Sequence, residues 1–150
     1  MNLYRLTTTK YCQDLSGEGA KIYGGRWNPV GLPALYLSEF ISLSILEILV
    51  RASQSTAPDA YTLLTFQFPE NSLTDIKLSS LKIHWQDHID YTRYIGEEFL
   101  KDEKTLALRV PSAIVTQEHN FLLNPKHKDF KKIKIVHTEL LNLDKRLLAR

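Results

Sequence analysis

The chain has 150 residues, 43% of them apolar and 24% charged, and a single cysteine. A chain of this length buries a core without disulfides or metals, and a lone Cys12 cannot close an intrachain disulfide, which suits a reducing compartment. Nineteen basic and 17 acidic residues leave a net charge of +2, a balance that argues against a nucleic-acid binder or a membrane-surface protein.

No repeat, low-complexity tract or linker divides the sequence, so one domain over residues 1–150 is expected. Tyr4, Arg5 and Lys10 interrupt any apolar leader at the start. The most apolar stretch, Ile41 to Val50, is broken by Ser42, Ser44 and Glu47 and is too short to span a bilayer. A soluble, cytoplasmic domain is the expectation.

Leu3 to Leu6 reads as a short strand, followed by a long loop rich in Thr, Gly and Tyr. Ala34 to Leu37 reads as a second strand, with Ser38 as the N-cap of a helix running to about Ser53. That helix is apolar around most of its circumference. Its only polar stripe contains Ser44, Glu47, Arg51 and Gln54, which predicts a buried helix opening one wedge onto water. Residues 61–68 alternate, with Leu64, Phe66 and Phe68 on one side, and predict a strand that Pro69 stops. Residues 106–110 and 132–136 are further strands, and Thr92 to Lys101 a helix. Without a regular βαβ rhythm, the pattern indicates an α+β fold.

Most local motifs that could carry chemistry fail on inspection. Gly17 and Gly19 begin a dinucleotide fingerprint, but Ile22 stands where the third glycine belongs, and no Gly-Lys-Ser/Thr follows. His84 and His88 are four apart without the H-E-x-x-H context, and Glu118, His119 and His127 match no metal spacing, so no metal site is expected. Residues 126–134 hold five lysines but only one aromatic, Phe130, which fits a solvated face better than a nucleic-acid site.

Three segments remain. In Y-G-G-R-W (23–27), Gly24 and Gly25 precede Arg26, a planar five-donor group suited to phosphate; a bend carrying a solvated arginine explains the same residues. Glu47 on an apolar helix is a candidate functional carboxylate, yet it also forms an i,i+4 pair with Arg51. Ser112 follows Pro111 at a strand end, ahead of a loop in which Asn120, Asn124 and Pro125 suit turn chemistry.

These segments, in this order, resemble the RES-domain family, named for its arginine, glutamate and serine. The resemblance rests on residues 15–39, 42–50 and 110–130, with fainter echoes at 84–88, 94–100 and 143–148. It implies a fold similar to ADP-ribosyltransferases, with a split, mostly antiparallel sheet around an NAD cleft. It also implies the toxin of a bacterial type II toxin–antitoxin pair, inhibited by an Xre-like antitoxin that covers the active site. Relatives of this kind consume NAD+ as substrate by hydrolysis, by phosphorolysis with phosphate as nucleophile, or by ADP-ribosyl transfer to a protein.

By resemblance, Arg26, Glu47 and Ser112 match the namesake positions. Arg5 resembles a second arginine at the cleft, and Tyr36 an aromatic near the nicotinamide end. Arg5 and Arg26 would then hold the pyrophosphate, and Glu47 the ribose. Ser112 would bond nicotinamide or ribose, and the glycines would let the dinucleotide approach. Phe99 departs from the family's tryptophan, and Arg93 and Tyr94 from smaller or polar residues. All three departures bear on one wall of the cleft.

Overall fold

The computed structural model describes residues 1–52 and 60–148. Strands β1 (Asn2–Thr8), β2 (Leu35–Ser38), β3 (Tyr61–Gln67), β4 (Leu73–Asp75), β5 (Ala107–Pro111), β6 (His119–Leu123) and β7 (Lys134–Leu141) form one sheet in the order β4-β5-β6-β2-β1-β3-β7. Only β4 and β5 are parallel; every other neighbouring pair is antiparallel. Helices α1 (Glu18–Tyr23), α2 (Ile41–Arg51), α3 (Ile89–Asp102) and α4 (Lys145–Leu148) complete the described elements. The α+β expectation holds. None of the described helices is long and apolar enough to cross a membrane.

The sheet is nearly cut in two. β1 pairs with β3 along its whole length, Asn2 to Thr8, and β2 with β6 from Leu35 to Ser38. β1 and β2, however, share a single register pair, Tyr4 with Ser38. Beyond it the strands part, with Arg5 next to the parting on β1 and Tyr36 on β2. This is the split expected of the fold.

Alternation sends the strand side chains into separate clusters. Leu3, Leu35, Leu37, Leu64, Phe66, Phe68, Phe121 and Leu123 make the largest core. On the opposite face of β2, β5 and β6, Leu108, Val110 and Leu122 pack with Trp27, Trp85, Phe99 and Leu100. Each such side chain contributes about 1.5–3 kcal/mol on leaving water. A third group, Leu6, Tyr61 and Leu63, receives α2 through Ile45 and Ile48.

Several sequence expectations need correction. Ser38 is not a helix cap: it is the last residue of β2, and Phe40 precedes α2 with no side-chain cap. Nor is α2 buried all round, because packing on one sheet face leaves Ile41, Leu46 and Val50 exposed. Ser53 and Gln54 lie outside the described residues. The predicted long loop after β1 contains a 3₁₀ turn at Thr9–Tyr11 and helix α1. Residues His119–Leu123, read as loop, form β6, where pairing on both sides outweighs the local turn tendency of Asn120. The strand expected at 132–136 starts at Lys134, after a 3₁₀ turn, and runs to Leu141.

Candidate active site

α2 carries Glu47 towards the ends of β2, β5 and β6, and two donors reach its carboxylate there. The Asn120 amide donates from Nδ2 to Glu47 Oε1 at 2.5 Å. The Ser112 hydroxyl donates to the same oxygen at 3.2 Å, linking residues 65 apart in sequence. Ser112 is fully buried, and its oxygen accepts the backbone N–H groups of Ile114 (3.0 Å) and Val115 (3.2 Å). An oxygen already accepting two hydrogen bonds is a poor nucleophile, so this geometry supports a binding or orienting hydroxyl.

Ser38 lies directly across from Asn120 on the neighbouring strand and donates from Oγ to Asn120 Oδ1 at 2.8 Å. The next pair is clamped as well. Glu39 N–H donates to the His119 carbonyl at 3.0 Å, and His119 N–H to Glu39 Oε2 at 3.0 Å. Of the two readings open for Glu47, the i,i+4 pair with Arg51 does not form. Glu47 turns to Ser112 and Asn120, while the Arg51 guanidinium sits 5.8 Å from the centre of the Tyr36 ring.

Tyr36 connects this side of the site to the arginine loop. Its hydroxyl donates to Asn28 Oδ1 at 2.6 Å and accepts the Trp27 N–H at 3.1 Å. Burial pushes the phenol well above its ordinary value, outweighing those bonds and the nearby Arg51 and Arg93, so it stays protonated. Asn28 is fully buried, with Nδ2 within 2.8–3.2 Å of the Ala20, Pro29 and Leu32 carbonyls. It staples the loop in place.

Arg26 donates from its guanidinium to the Gln86 carbonyl at 2.8 Å and lies 5.9 Å from the centre of the Trp85 ring. Its loop is gripped by α3 at three successive carbonyls. Arg93 Nε donates to the Gly25 carbonyl at 2.8 Å, and Thr92 Oγ1 to the Arg26 carbonyl at 2.6 Å. At Gly96 the helix comes so close that a Cβ there would lie 1.5 Å from the Trp27 carbonyl oxygen.

The glycines before Arg26 acquire an internal reason. Gly24 has φ +71°, and a Cβ on Gly25 would lie 2.5 Å from the Tyr36 hydroxyl. The departures at 93 and 99 are also accounted for. Arg93 holds the loop, and Phe99 packs in the cluster with Trp27 and Trp85.

Arg5 donates from its guanidinium to the Asp14 carbonyl at 2.9 Å. Burial pulls it below the ordinary arginine value, against the attraction of Asp14 and Cys12, yet a guanidinium remains charged at neutral pH. The structure thus joins Glu47 directly to Ser112, and Tyr36 to the arginine loop, whereas Arg5 is placed by the segment after β1. Two surface clefts, of about 190 and 310 Å³, are lined by other residues, among them Leu32 and Leu100 in one and Ser72 and His127 in the other. Among the described residues no three His, Cys, Asp or Glu side chains converge as a metal set.

Asn28 holds the loop, as its place beside Arg26 suggests, whereas Ser38 in the site, Arg51 at the Tyr36 ring and the contact between Asn120 and Glu47 are not signalled by the local sequence. The cross-strand pairing of Ser38 with Asn120 carries the missing signal, and it depends on register.

Comparison with known proteins identifies the family. "Toxin Res" of Photorhabdus laumondii is 40% identical over 152 residues, covering 99% of this chain and 97% of that protein. The "Prs ADP-ribosylating toxin" of a Sphingobium species is 32% identical, covering 99% of this chain and 98% of that one. The Mycobacterium tuberculosis "NAD(+) phosphorylase MbcT" is 37% identical over 70 residues, which is 45% of this chain and 37% of that protein. The crystal structure of the M. tuberculosis MbcT–MbcA toxin–antitoxin complex superposes with a TM-score of 0.79, covering 99% of this chain and 89% of its own at 23% identity, and so shares the fold. The family described as the RES domain matches residues 2–144, and the chain belongs to that family.

Proposed function

We propose that the chain is the toxin of a bacterial type II toxin–antitoxin pair that depletes cytoplasmic NAD+ by cleaving the nicotinamide–ribose bond. The carrying observation is the convergence of Glu47 and Ser112, from segments 65 residues apart, beside the Tyr36-anchored arginine loop. The names of the relatives support the substrate.

In the reaction the bond from ribose C1′ to the pyridinium nitrogen breaks, and its electron pair neutralises the ring. Nicotinamide leaves without needing a proton. The ribose passes through an oxocarbenium-like transition state, as in glycoside cleavage. Glu47 receives the ribose hydroxyls and offsets the developing positive charge, for which a fixed carboxylate supplies several kcal/mol. Arg26 and Arg5 hold the pyrophosphate, Tyr36 faces the nicotinamide, and Ser112 orients the ribose or the amide. Water attacking C1′ gives ADP-ribose and a proton; phosphate attacking instead gives ADP-ribose-1″-phosphate. The NAD+ is substrate, with no further cofactor. Residues 1–150 act as one domain, with an Xre-like antitoxin as the inhibitory partner over the cleft.

A second reading, ADP-ribosyl transfer to a protein, is favoured by the Sphingobium relative, whose similarity runs over 99% of this chain. Incubation with NAD+, with and without phosphate, and mass spectrometry of the products decides among them. Free ADP-ribose indicates hydrolysis, the phosphorylated sugar phosphorolysis, and a protein adduct transfer. Absence of nicotinamide release by the purified chain overturns the whole proposal.

A further inference from the structure

Glu47 presents its two oxygens unequally. Both donors, Asn120 Nδ2 and Ser112 Oγ, meet Oε1, and among the described residues no hydrogen bond reaches Oε2. The Asn120 amide is itself oriented. Ser38 Oγ donates to its Oδ1, which turns Nδ2 towards Glu47; the flipped amide would set its oxygen against a carboxylate oxygen. The Glu39–His119 clamp fixes the backbone on which Asn120 rides, and Ser38 is itself buried.

We infer that Asn120, oriented by Ser38, is a positioning residue that pins Glu47 through Oε1 and reserves Oε2 for the substrate ribose. The assignment rests on the NAD+-cleaving role proposed for Glu47. It extends that role by dividing the carboxylate into a structural and a working oxygen, and by naming two residues outside the arginine–glutamate–serine set. The effect is on the chemical step, because a swinging carboxylate meets the ribose less often in the transition-state geometry. Ground-state contacts to the pyrophosphate are left alone.

The test compares Asn120→Asp with Asn120→Ala in kcat and KM for nicotinamide release. Asp has the shape of Asn but places a charged acceptor against Oε1. Ala only removes the donor. If Asn120 merely fills space, Asp is the milder change; if it positions Glu47, Asp is the more damaging. Expected are kcat losses of about tenfold to a hundredfold for Ala, with KM within about twofold, and a larger loss for Asp.

Should Asn120→Asp fail to fold, Ser38→Ala and Ser38→Thr carry the test. Ala is expected to lower kcat several-fold, and Thr, which keeps the hydroxyl, to restore it. Asp milder than Ala, losses confined to KM, or a Ser38→Ala enzyme with wild-type kcat overturns the inference. A wild-type chain that releases no nicotinamide strikes the proposed function instead. NMR of the Asn120 side-chain amide then decides the positioning separately. A downfield N–H that returns to the ordinary range in Glu47→Gln supports the contact, and one indifferent to that change refutes it.

Discussion

The two sides of the site are assembled by different means. On the carboxylate side, side chains hold a side chain: Asn120 and Ser112 grip Glu47, and Ser38 grips Asn120. On the arginine side, side chains hold main chain. Arg93 and Thr92 take the carbonyls of Gly25 and Arg26, Gly96 admits that of Trp27, and Tyr36 and Asn28 fasten the rest. The first side ties one carboxylate of α2 to the sheet. The second fixes a loop, and the Arg26 guanidinium itself donates to the Gln86 carbonyl. Substitutions on the carboxylate side should therefore register in turnover, and those on the arginine side in affinity and stability.

The largest effect is expected at Glu47. Glu47→Gln keeps the shape and removes the charge proposed to offset the oxocarbenium. Turnover should fall about a thousandfold, or about 4 kcal/mol, with NAD+ affinity and melting temperature little changed. Nicotinamide release measured beside calorimetric binding checks it. Near-wild-type turnover would remove Glu47 from the chemistry and dissolve the contrast between the two sides.

Next comes Gly96, where an added Cβ collides with the Trp27 carbonyl. The helix and the loop must separate, which costs about 3 kcal/mol in Gly96→Ala and lowers the melting temperature by roughly 6–12 °C for a domain of this size. Binding of NAD+ should weaken along with it, since the loop carrying Arg26 loses its seat. A melting curve that superposes on wild type would mean that α3 does not brace the loop.

How much of this could be read beforehand follows from the range of the interactions. Arg26, Glu47 and Ser112 each have an ordinary local reading and are singled out by the resemblance of their three segments to the RES-domain family, whereas α3 and β3 announce themselves by periodicity. Asn120 and Ser38 do not. A serine ahead of an apolar run suits a helix cap, and an asparagine near a proline suits a turn, until β2 and β6 pair in the register that sets them opposite one another. The contact from Asn120 to Glu47 spans 73 residues, and no local propensity encodes it. Gly96 was hidden likewise, because its neighbour across the gap is the backbone of residue 27.

A smaller effect is expected at Arg26 itself. Arg26→Ala should raise the dissociation constant for NAD+ about tenfold to a hundredfold, the range for a charge-assisted contact to phosphate, and leave kcat within a few-fold. Lysine restores only part of the loss, because a point charge replaces a two-pronged donor. Titration calorimetry separates the cases. An unchanged dissociation constant in Arg26→Ala would take the pyrophosphate away from this residue.

Tyr36 lies where the two sides meet, and Tyr36→Phe tests which of them its hydroxyl serves. Removing it leaves the buried Trp27 N–H without its acceptor and Asn28 Oδ1 without its donor, a cost of about 1–3 kcal/mol in stability. The ring remains, with Arg51 still at its face. Burial keeps the phenol protonated well beyond neutral pH, and the hydroxyl serves as a donor to Asn28. The variant should therefore melt several degrees lower while keeping its kcat and the shape of its pH–rate profile between about pH 6 and 9. A large fall in kcat at unchanged stability would place the hydroxyl in the reaction, and with it the boundary between the two sides on the other side of Tyr36.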